Sequence, residues 1–182
     1  MKTTLPELMH GCDFWPTDDL AGWWISQKLD GWRCFWDGTG LFTRQGNRYA
    51  APAWFTKDLP ATPLDCELVT AGQTSCDRVN SAVRAGQWHR LELRPFDLAV
   101  AGMAFEQAQA TIAKLALPEH VRPVQWRPVA CTAEAVAAML TITANGGEGI
   151  MARNPASCYR PGRTAELVKI KPAILAENQT RP

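Results

Sequence analysis

Short segments rich in aromatic and β-branched residues recur along the chain, and each is bounded by residues typical of turns. Among them, residues 32–36 and 41–44 are joined by Asp37-Gly38-Thr39-Gly40 and are predicted to form a β-hairpin. Helical spacing of apolar residues is limited to a short stretch within 76–90 and two longer ones at 105–115 and 132–143. Because these helices do not alternate with strands as regular βαβ units, the pattern predicts an α+β fold with mainly antiparallel sheets.

The other predicted strands cover residues 23–28, 64–69, 91–100, 148–153 and 166–171. Pro95 indicates that the strand containing it lies at a sheet edge or carries a bulge. Residues 1–20 show no regular period and are expected to be irregular. In the last helix we expect Thr132 to be the N-cap, and Val136, Met139 and Leu140 to lie on the apolar face.

The composition is that of a globular protein, with 46% apolar and 20% charged residues and a formal net charge of +1. So small a charge excludes a general attraction of the whole molecule to nucleic acid or acidic membranes. Between Arg153 and Lys171, however, five basic residues stand against Glu166 alone, which gives this segment a charge of +4. Such a segment suits a cleft for phosphates, with a solvated basic edge as the alternative.

The six cysteines form no Cys-x-x-Cys pair and have no histidine at zinc-binding spacing, so we interpret them as reduced, mostly buried thiols. The N-terminus lacks the apolar run of a signal peptide, and no stretch has the apolar length needed to cross a bilayer. We therefore expect a cytoplasmic protein that has no membrane partner.

The stretch Lys28-Leu29-Asp30-Gly31-Trp32-Arg33 is the first candidate for chemistry. In a strand, side chains two residues apart lie on one face, so Lys28 and Asp30 are expected side by side, with a turn at Asp30-Gly31. A lysine in such a place can act as a nucleophile. By itself, the hexapeptide is more typical of a surface hairpin with solvated charges.

Four later segments carry further side chains suited to chemistry: Asp65-Cys66-Glu67, Phe96-Asp97, Gly147-Glu148-Gly149-Ile150-Met151, and residues 167–172. Asp65 and Glu67 are predicted to share one strand face. Lys169 and Lys171 are predicted to share another, with Val168 and Ile170 turned toward the core. Taken singly, each segment fits an ordinary structural role.

In this order the five segments resemble the motif series of covalent nucleotidyltransferases, which are DNA and RNA ligases and mRNA capping enzymes. The resemblance is closest to ATP-dependent DNA ligases, and among them to the small bacterial enzymes, because residues 51–56 and 59–68 also look like theirs. It covers residues 22–175 and implies an ATP-grasp-like nucleotidyltransferase (adenylation) domain there. Residues 1–21 would then be an N-terminal arm and residues 176–182 a tail.

The resemblance implies a catalytic role for four residues. Lys28 would attack the α-phosphate of ATP and form a covalent lysyl-AMP, with Asp30 in the same motif. Lys169 and Lys171 would bind the α-phosphate and neutralise the charge on it.

The resemblance also implies roles in binding. Glu67 would contact the ribose or assist metal binding, and Glu148 would hold Mg²⁺, an ion that prefers oxygen ligands and is usually bound by one or two carboxylates plus substrate phosphates. Phe96 would stack on adenine. Arg33 and Arg44 would contact the nucleotide or the DNA backbone around a nick.

The chain departs from the family pattern in three places. Cys66 stands where a glycine is usual, and we expect it to add a side chain close to the nucleotide. Ser26-Gln27 replaces the acidic residue often found just before the nucleophile. The chain also ends ten residues after Pro172, which leaves no room for the OB-fold domain of the family's sealing enzymes.

The sequence therefore predicts the adenylation domain of an ATP-dependent DNA ligase, a monomer that acts on nicked double-stranded DNA with ATP and Mg²⁺. A separate OB-fold protein is a candidate partner, and with a net charge of +1 the chain alone is expected to form lysyl-AMP but to seal nicks poorly. Two alternatives stay open. One is an RNA ligase or capping-type transferase, and the other is a non-catalytic module that binds nicked DNA or a partner.

Overall fold

The computed structural model describes residues 7–72 and 75–173, so the predicted tail lies outside the described residues. The strands are β1 (Met9–Asp13), β2 (Trp24–Gln27), β3 (Trp32–Trp36), β4 (Leu41–Thr43), β5 (Leu64–Thr70), β6 (Leu91–Leu98), β7 (Arg127–Pro128), β8 (Ile150–Arg153) and β9 (Gly162–Ile170). The helices are α1 (Ala53–Thr56), α2 (Cys76–Arg84), α3 (Phe105–Ile112) and α4 (Thr132–Ala144), with a short 3₁₀ helix at Trp88–Arg90.

The strands form two sheets. The five-stranded sheet has the order β1-β9-β8-β2-β7, and the four-stranded sheet has the order β4-β3-β5-β6. Every neighbouring pair is antiparallel except β1 and β9. The predicted α+β fold with mainly antiparallel sheets is therefore confirmed, as is the hairpin of β3 and β4.

Each sheet packs one face on its own hydrophobic core. In the four-stranded sheet, alternate residues of β5 join a core with α2, α3 and the 3₁₀ helix: Leu64, Cys66 and Leu68. In the five-stranded sheet, Val168 and Ile170 of β9 pack with Ala135 and Met139 of α4. Since side chains alternate along a strand, the residues between these positions face the other way and are free to line a site.

Pro95 lies where its type predicts, on β6 at the edge of the four-stranded sheet. The pairing of β5 with β6 passes from Asp65–Asp97 to Cys66–Pro95, so Phe96 is an extra residue on β6. Such a β-bulge re-aims side chains. It allows the consecutive residues Phe96 and Asp97 both to line the cleft described below.

Two expectations about the ends of elements are wrong. Residues 9–13 are not irregular but form β1, whose parallel pairing with β9 supplies the backbone hydrogen bonds that its short, non-periodic sequence does not signal. Cys131, not Thr132, is the N-cap of α4, because the Thr132 hydroxyl instead accepts from the Leu20 N–H at 3.0 Å.

Of the predicted apolar face of α4, Met139 is buried but Leu140 is exposed. The domain boundaries at residues 21 and 175 stay predictions.

Gly31 is required by close packing and not by a turn. It has no positive φ. A Cβ at Gly31 would lie 2.4 Å from the Leu68 carbonyl oxygen and 2.9 Å from Glu67 Cγ. Glycine therefore lets the start of β3 lie directly against β5.

The described helices include none that is long and apolar enough to cross a membrane.

We expect Gly31→Ala to destabilise the fold by about 3 kcal/mol or more, because the added methyl group must push β3 away from rigid β5 backbone. Gly22→Ala is the matched control, since nothing lies within 4 Å of the added Cβ there and only its φ of 76° is unfavourable, at a cost of about 1–2 kcal/mol. Urea unfolding of both variants measures the difference. Equal destabilisation would show that the contact with β5 is not what demands glycine.

Candidate active site

Both sheets contribute residues to the wall of a cleft of about 870 Å³. Of the residues predicted for the site, the wall includes Lys28, Arg33, Arg44, Glu67, Phe96 and Lys169. The structure thus brings together side chains that are far apart in sequence, from six of the nine strands of the described residues or from the ends of those strands.

Lys28 follows the last residue of β2, and its backbone N–H donates to the Gly149 carbonyl at 2.9 Å. Its Nζ donates to Glu148 Oε2 at 2.6 Å, and Glu148 Oε1 accepts from Lys171 Nζ. Burial alone would raise the pKa of Glu148, but the hydrogen bonds from Lys171 and Lys28 outweigh burial and lower that pKa. One carboxylate therefore pairs with two ammonium groups, and the three groups together carry a charge of +1.

Lys169 faces the cleft from β9 with its Nζ 2.8 Å from Asp13 Oδ1 of β1. The hydrogen bond from Lys169 lowers the pKa of Asp13. Val168 and Ile170 on either side are buried, as the alternating pattern predicts. Lys169 and Lys171 thus pair with different carboxylates. Asp13 belongs to β1 on one side of β9, and Glu148 precedes β8 on the other side.

Glu67 projects from β5 beside its cross-strand partner Arg33. Burial raises the pKa of Glu67 to about 8, even though Lys28 and Arg33 act to lower it. Because burial makes ionisation of Glu67 unfavourable, a cation bound beside it in the cleft would stabilise its charged form.

Arg33 makes a bidentate ion pair with the fully buried Asp65, with Nε–Oδ1 at 3.0 Å and a second contact to Oδ2 at 2.5 Å. The same guanidinium donates to the Met9 carbonyl at 2.6 Å and contacts His10 Nδ1 at 3.2 Å. Asp65 Oδ2 also accepts from the Tyr159 hydroxyl at 2.7 Å. Burial would lower the pKa of Arg33, but Asp65 more than compensates and raises it.

Phe96 is half-buried in the cleft wall, with the Arg33 guanidinium 5.4 Å from the centre of its ring. A flat aromatic face in this position suits a base. Arg44 follows β4 and is exposed at the cleft.

Two expectations about side-chain placement are wrong. Asp30 does not sit beside Lys28, since β2 ends at Gln27 and the strand alternation does not continue; instead the Asp30 carboxylate approaches Cys76 and raises the pKa of its thiol. Cys66 does not lie close to the cleft, because its side chain is on the core face of β5, opposite Cys34 of β3. Cys66, which stands where a glycine is usual, therefore packs its side chain in the hydrophobic core and not against the cleft.

The chain is similar to known DNA ligases in both sequence and structure. A DNA ligase of Haemophilus influenzae is 32% identical over 163 residues, which cover 85% of this chain and 59% of that protein. A solved structure from a study of Lig E DNA ligases that bind DNA with a minimal scaffold is 31% identical, with a TM-score of 0.83 over 92% of this chain and 69% of that one. The chain belongs to the ATP-dependent DNA ligases.

Other comparisons bear on the fold and on length. A mycobacterial DNA ligase D, solved with ATP and MES, is 22% identical with a TM-score of 0.71, covers 92% of this chain and 60% of that one, and supports the ligase nucleotidyltransferase fold alone. No family model matches the chain. The chain spans about 59% of the length of the curated ligase that it matches.

Sequence reasoning missed several residues of the cleft. Asp65 and Asp97 appeared only within motifs, and Met9, His10, Ser26, Trp126 and Tyr159 were assigned no role. Asp65 had a usable signal, because a strand that alternates acidic and apolar residues opposite Arg33 predicts a buried ion pair. No sequence signal indicated the position of Arg153, because a basic segment suggests exposed side chains. Arg153 is instead 1% exposed, lies 3.8 Å from Asp97 and stacks over Phe105.

Whether the cleft could hold Mg²⁺ depends on Glu67 and Glu148. No group of three or more potential metal ligands occurs in residues 7–72 and 75–173. The donor set nonetheless fits an ion that takes one or two carboxylates and completes its shell with phosphates and water. Glu67 is the better candidate in the absence of nucleotide, because both Glu148 oxygens are occupied by lysines.

We expect Asp65→Ala to destabilise the fold by about 3–5 kcal/mol, because it leaves the largely buried Arg33 charge without its partner. Asp58→Ala, which breaks an exposed pair with Lys57 at 3.8 Å, should cost less than about 1 kcal/mol. Urea unfolding at neutral pH measures both. An Asp65→Ala protein as stable as the control variant would contradict the assignment of a structural ion pair.

Glu67 should make stability depend on pH. Because its pKa is raised to about 8 in the fold, the folded state holds a proton that the unfolded state releases near pH 4.5. The bound proton therefore contributes fully to the free energy of unfolding below about pH 4.5, and this contribution is lost as the pH rises to about 8. Glu67→Gln should therefore flatten the decline of unfolding free energy over this range, with the exposed Glu106→Gln as control. An unchanged slope would show that Glu67 ionises normally.

Proposed function

We propose that Lys28 takes AMP from ATP and that the AMP then passes to a 5′-phosphate at a nick in double-stranded DNA. The observation that carries this is the placement of Lys28 Nζ at the cleft with Glu148 shared between it and Lys171. A nucleophile held beside a second cation is what attack on a phosphate requires, since the added positive charge stabilises the anionic transition state.

In the first step, the lone pair of Lys28 Nζ attacks the α-phosphorus, an N–P bond forms and the P–O bond to pyrophosphate breaks. The ammonium must first lose a proton, and the Glu148 carboxylate, whose Oε2 accepts the Nζ hydrogen bond at 2.6 Å in the free protein, is placed to take it. Phosphate oxygens then take the place of Glu148 as the partner of Lys171 and of Asp13 as the partner of Lys169. In the second step, an oxygen of the DNA 5′-phosphate attacks the same phosphorus, and the N–P bond breaks. In the third, the 3′-hydroxyl attacks the activated phosphate, AMP leaves and the nick is closed.

The remaining predicted residues divide between nucleotide and cation. Phe96 would stack on the adenine. Mg²⁺ would be held by Glu67, and by Glu148 once the phosphates have drawn the lysines away, and it would neutralise charge on the phosphates. Arg33 would act by holding the cleft wall, because Asp65, Met9 and His10 already occupy its donors.

DNA contact is supported on the basic side of the cleft. Arg44 and Arg163 both line it, and Arg44 is exposed. Mutation of a residue that pairs with phosphates should weaken binding on any sequence and reduce its dependence on salt. A separate OB-fold partner and a monomeric state stay predictions.

Transfer of label tests the function. Protein labelled with AMP from α-labelled ATP and freed of nucleotide should pass the label to 5′-phosphorylated nicked DNA, and Lys28→Ala should acquire no label. Lys57→Ala is the matched control, since the Lys57 side chain is exposed and forms an ion pair at 3.8 Å with the equally exposed Asp58. We expect the loss in Lys28→Ala to exceed about a thousandfold, as removal of a nucleophile eliminates the covalent route.

The same assay separates the alternatives. Label that moves to nicked RNA but not to DNA would show an RNA ligase, and label acquired from GTP but not ATP would indicate a capping-type transferase. Nick binding without any label on the wild-type protein would show a non-catalytic module and would overturn the proposal.

A further inference from the structure

The His10 side chain lies in the wall of the cleft with one ring nitrogen fixed and the other available to a ligand. Its Nδ1 is 3.2 Å from Nη1 of the Arg33 guanidinium. Arginine can only donate, so Nδ1 must accept, and the single proton of a neutral ring must be on Nε2. Within residues 7–72 and 75–173, Nε2 makes no hydrogen bond. The ring therefore offers one N–H to a group that enters the cleft.

The surroundings of His10 keep its ring neutral. Burial lowers the pKa of His10 below its usual value, and so do the positive charges of Arg33 and Arg44. Arg163 adds to this effect, while the Asp65 carboxylate acts against it. Because histidine ordinarily titrates near about pH 6.5, the ring is uncharged at pH 7 and acts as a donor from Nε2.

Two arginines accompany this ring in the cleft wall. Arg163 of β9 is the cross-strand partner of His10, and Arg44 follows β4. Among the described residues, neither arginine forms an ion pair. Even with Glu7, whose carboxylate lies near Gly162, the two arginines leave a positive charge here. A neutral donor beside two cations suits the oxygen atoms of a phosphate.

This group of side chains lies apart from the lysines that would hold the reacting phosphate. Lys169 bonds to Asp13 of β1, which is three residues beyond His10, or about 10 Å along a strand. A phosphate bound at His10 is therefore not the α-phosphate held at Lys28 and Lys169. In the proposed reaction, the substrate that carries many further phosphates is the DNA backbone.

We propose that His10 donates its Nε2–H to an internal phosphodiester of the DNA backbone beside the nick, an inference that rests on the proposed function. Arg44 and Arg163 attract this phosphate by charge, and His10 adds a directed hydrogen bond. Contacts to backbone phosphates set the register and orientation of a duplex, so this bond holds the nick in line with Lys28. Arg33 contributes indirectly, because it determines which nitrogen of His10 carries the proton.

Binding of nicked DNA, followed by fluorescence anisotropy, tests the bond with three variants. His10→Leu removes both ring nitrogens. His10→Gln restores an N–H near the position of Nε2, whereas His10→Asn restores only an acceptor near Nδ1 for Arg33. We expect His10→Leu and His10→Asn to weaken binding by about 3- to 10-fold, the value of one neutral hydrogen bond, and His10→Gln to bind nearly as tightly as the wild type. The exposed His89→Leu is the matched control and should leave the affinity unchanged.

Two further measurements identify the phosphate and the charge of the ring. In nicked duplexes with one internal phosphate replaced by a neutral methylphosphonate, we expect one position at which His10→Leu no longer weakens binding. A neutral donor releases no counterions, so His10→Leu should leave the dependence of log K on log salt unchanged. Arg163→Ala should instead reduce that slope by about 1.

Several results would overturn the contact while leaving the proposed function in place. Unchanged affinity in His10→Leu, or His10→Asn that binds as tightly as His10→Gln, would show that the ring only supports Arg33. His10→Gln that binds as weakly as His10→Leu would show that Nε2–H is not used. A reduced salt slope in His10→Leu would show a charged ring.

The source of the phosphate is tested separately. Weakening by His10→Leu that disappears when the nick carries a 5′-hydroxyl would assign the ring to the terminal phosphate. Weaker binding of α,β-methylene-ATP to His10→Leu, measured by calorimetry, would assign it to the nucleotide. Either result would overturn the internal contact, and wild-type protein that binds no nicked DNA would overturn both proposals.

Discussion

The buried ion pair of Arg33 and Asp65 fixes the position of the two sheets relative to each other, and the cleft depends on it. Both residues belong to the four-stranded sheet, yet the Arg33 guanidinium donates to the Met9 carbonyl of β1 in the five-stranded sheet at 2.6 Å. Tyr159 links the same two parts, since its hydroxyl donates to Asp65 and accepts from the Met9 N–H at 3.1 Å. A buried ion pair of this kind is often no more stabilising than apolar packing, so its value here lies in the geometry that it specifies.

Within this frame, the charges of the cleft are arranged for exchange with a polyanion. Without nucleotide, Glu148 is shared by Lys28 and Lys171, and Asp13 takes Lys169. In the proposed function, phosphate oxygens of ATP would replace Glu148 and Asp13 as partners of these three lysines, so the lysine charges would stay paired. The released Glu148 and the ionisable Glu67 would then face a divalent cation. The weak net charge of the chain is thus compatible with a strongly charged site.

The sequence was sufficient for the parts of this arrangement that depend on local pattern. Alternation placed Val168 and Ile170 in the core, and turn residues defined the hairpin of β3 and β4. Pro95 indicated a sheet edge or a bulge, and β6 has both. It failed where long-range pairing decides the structure. The strand at Met9–Asp13 forms because β9 offers it an edge, and Asp30 lies near Cys76 because β2 ends before it. Cys66 was expected close to the nucleotide, but its side chain lies on the core face of β5. The motif series predicted residues that the structure brings to one cleft, but it did not predict the pairing of Arg33 with Asp65.

The claim that Lys28 receives the AMP is tested most directly by mass spectrometry. Intact protein incubated with ATP and Mg²⁺ should become heavier by one AMP, and peptide mapping should place the added mass on Lys28. The assignment predicts that the added mass disappears in Lys28→Arg, which retains a positive charge, and persists in Lys57→Arg. AMP mapped to any residue other than Lys28, or an adduct of undiminished yield in Lys28→Arg, would contradict it.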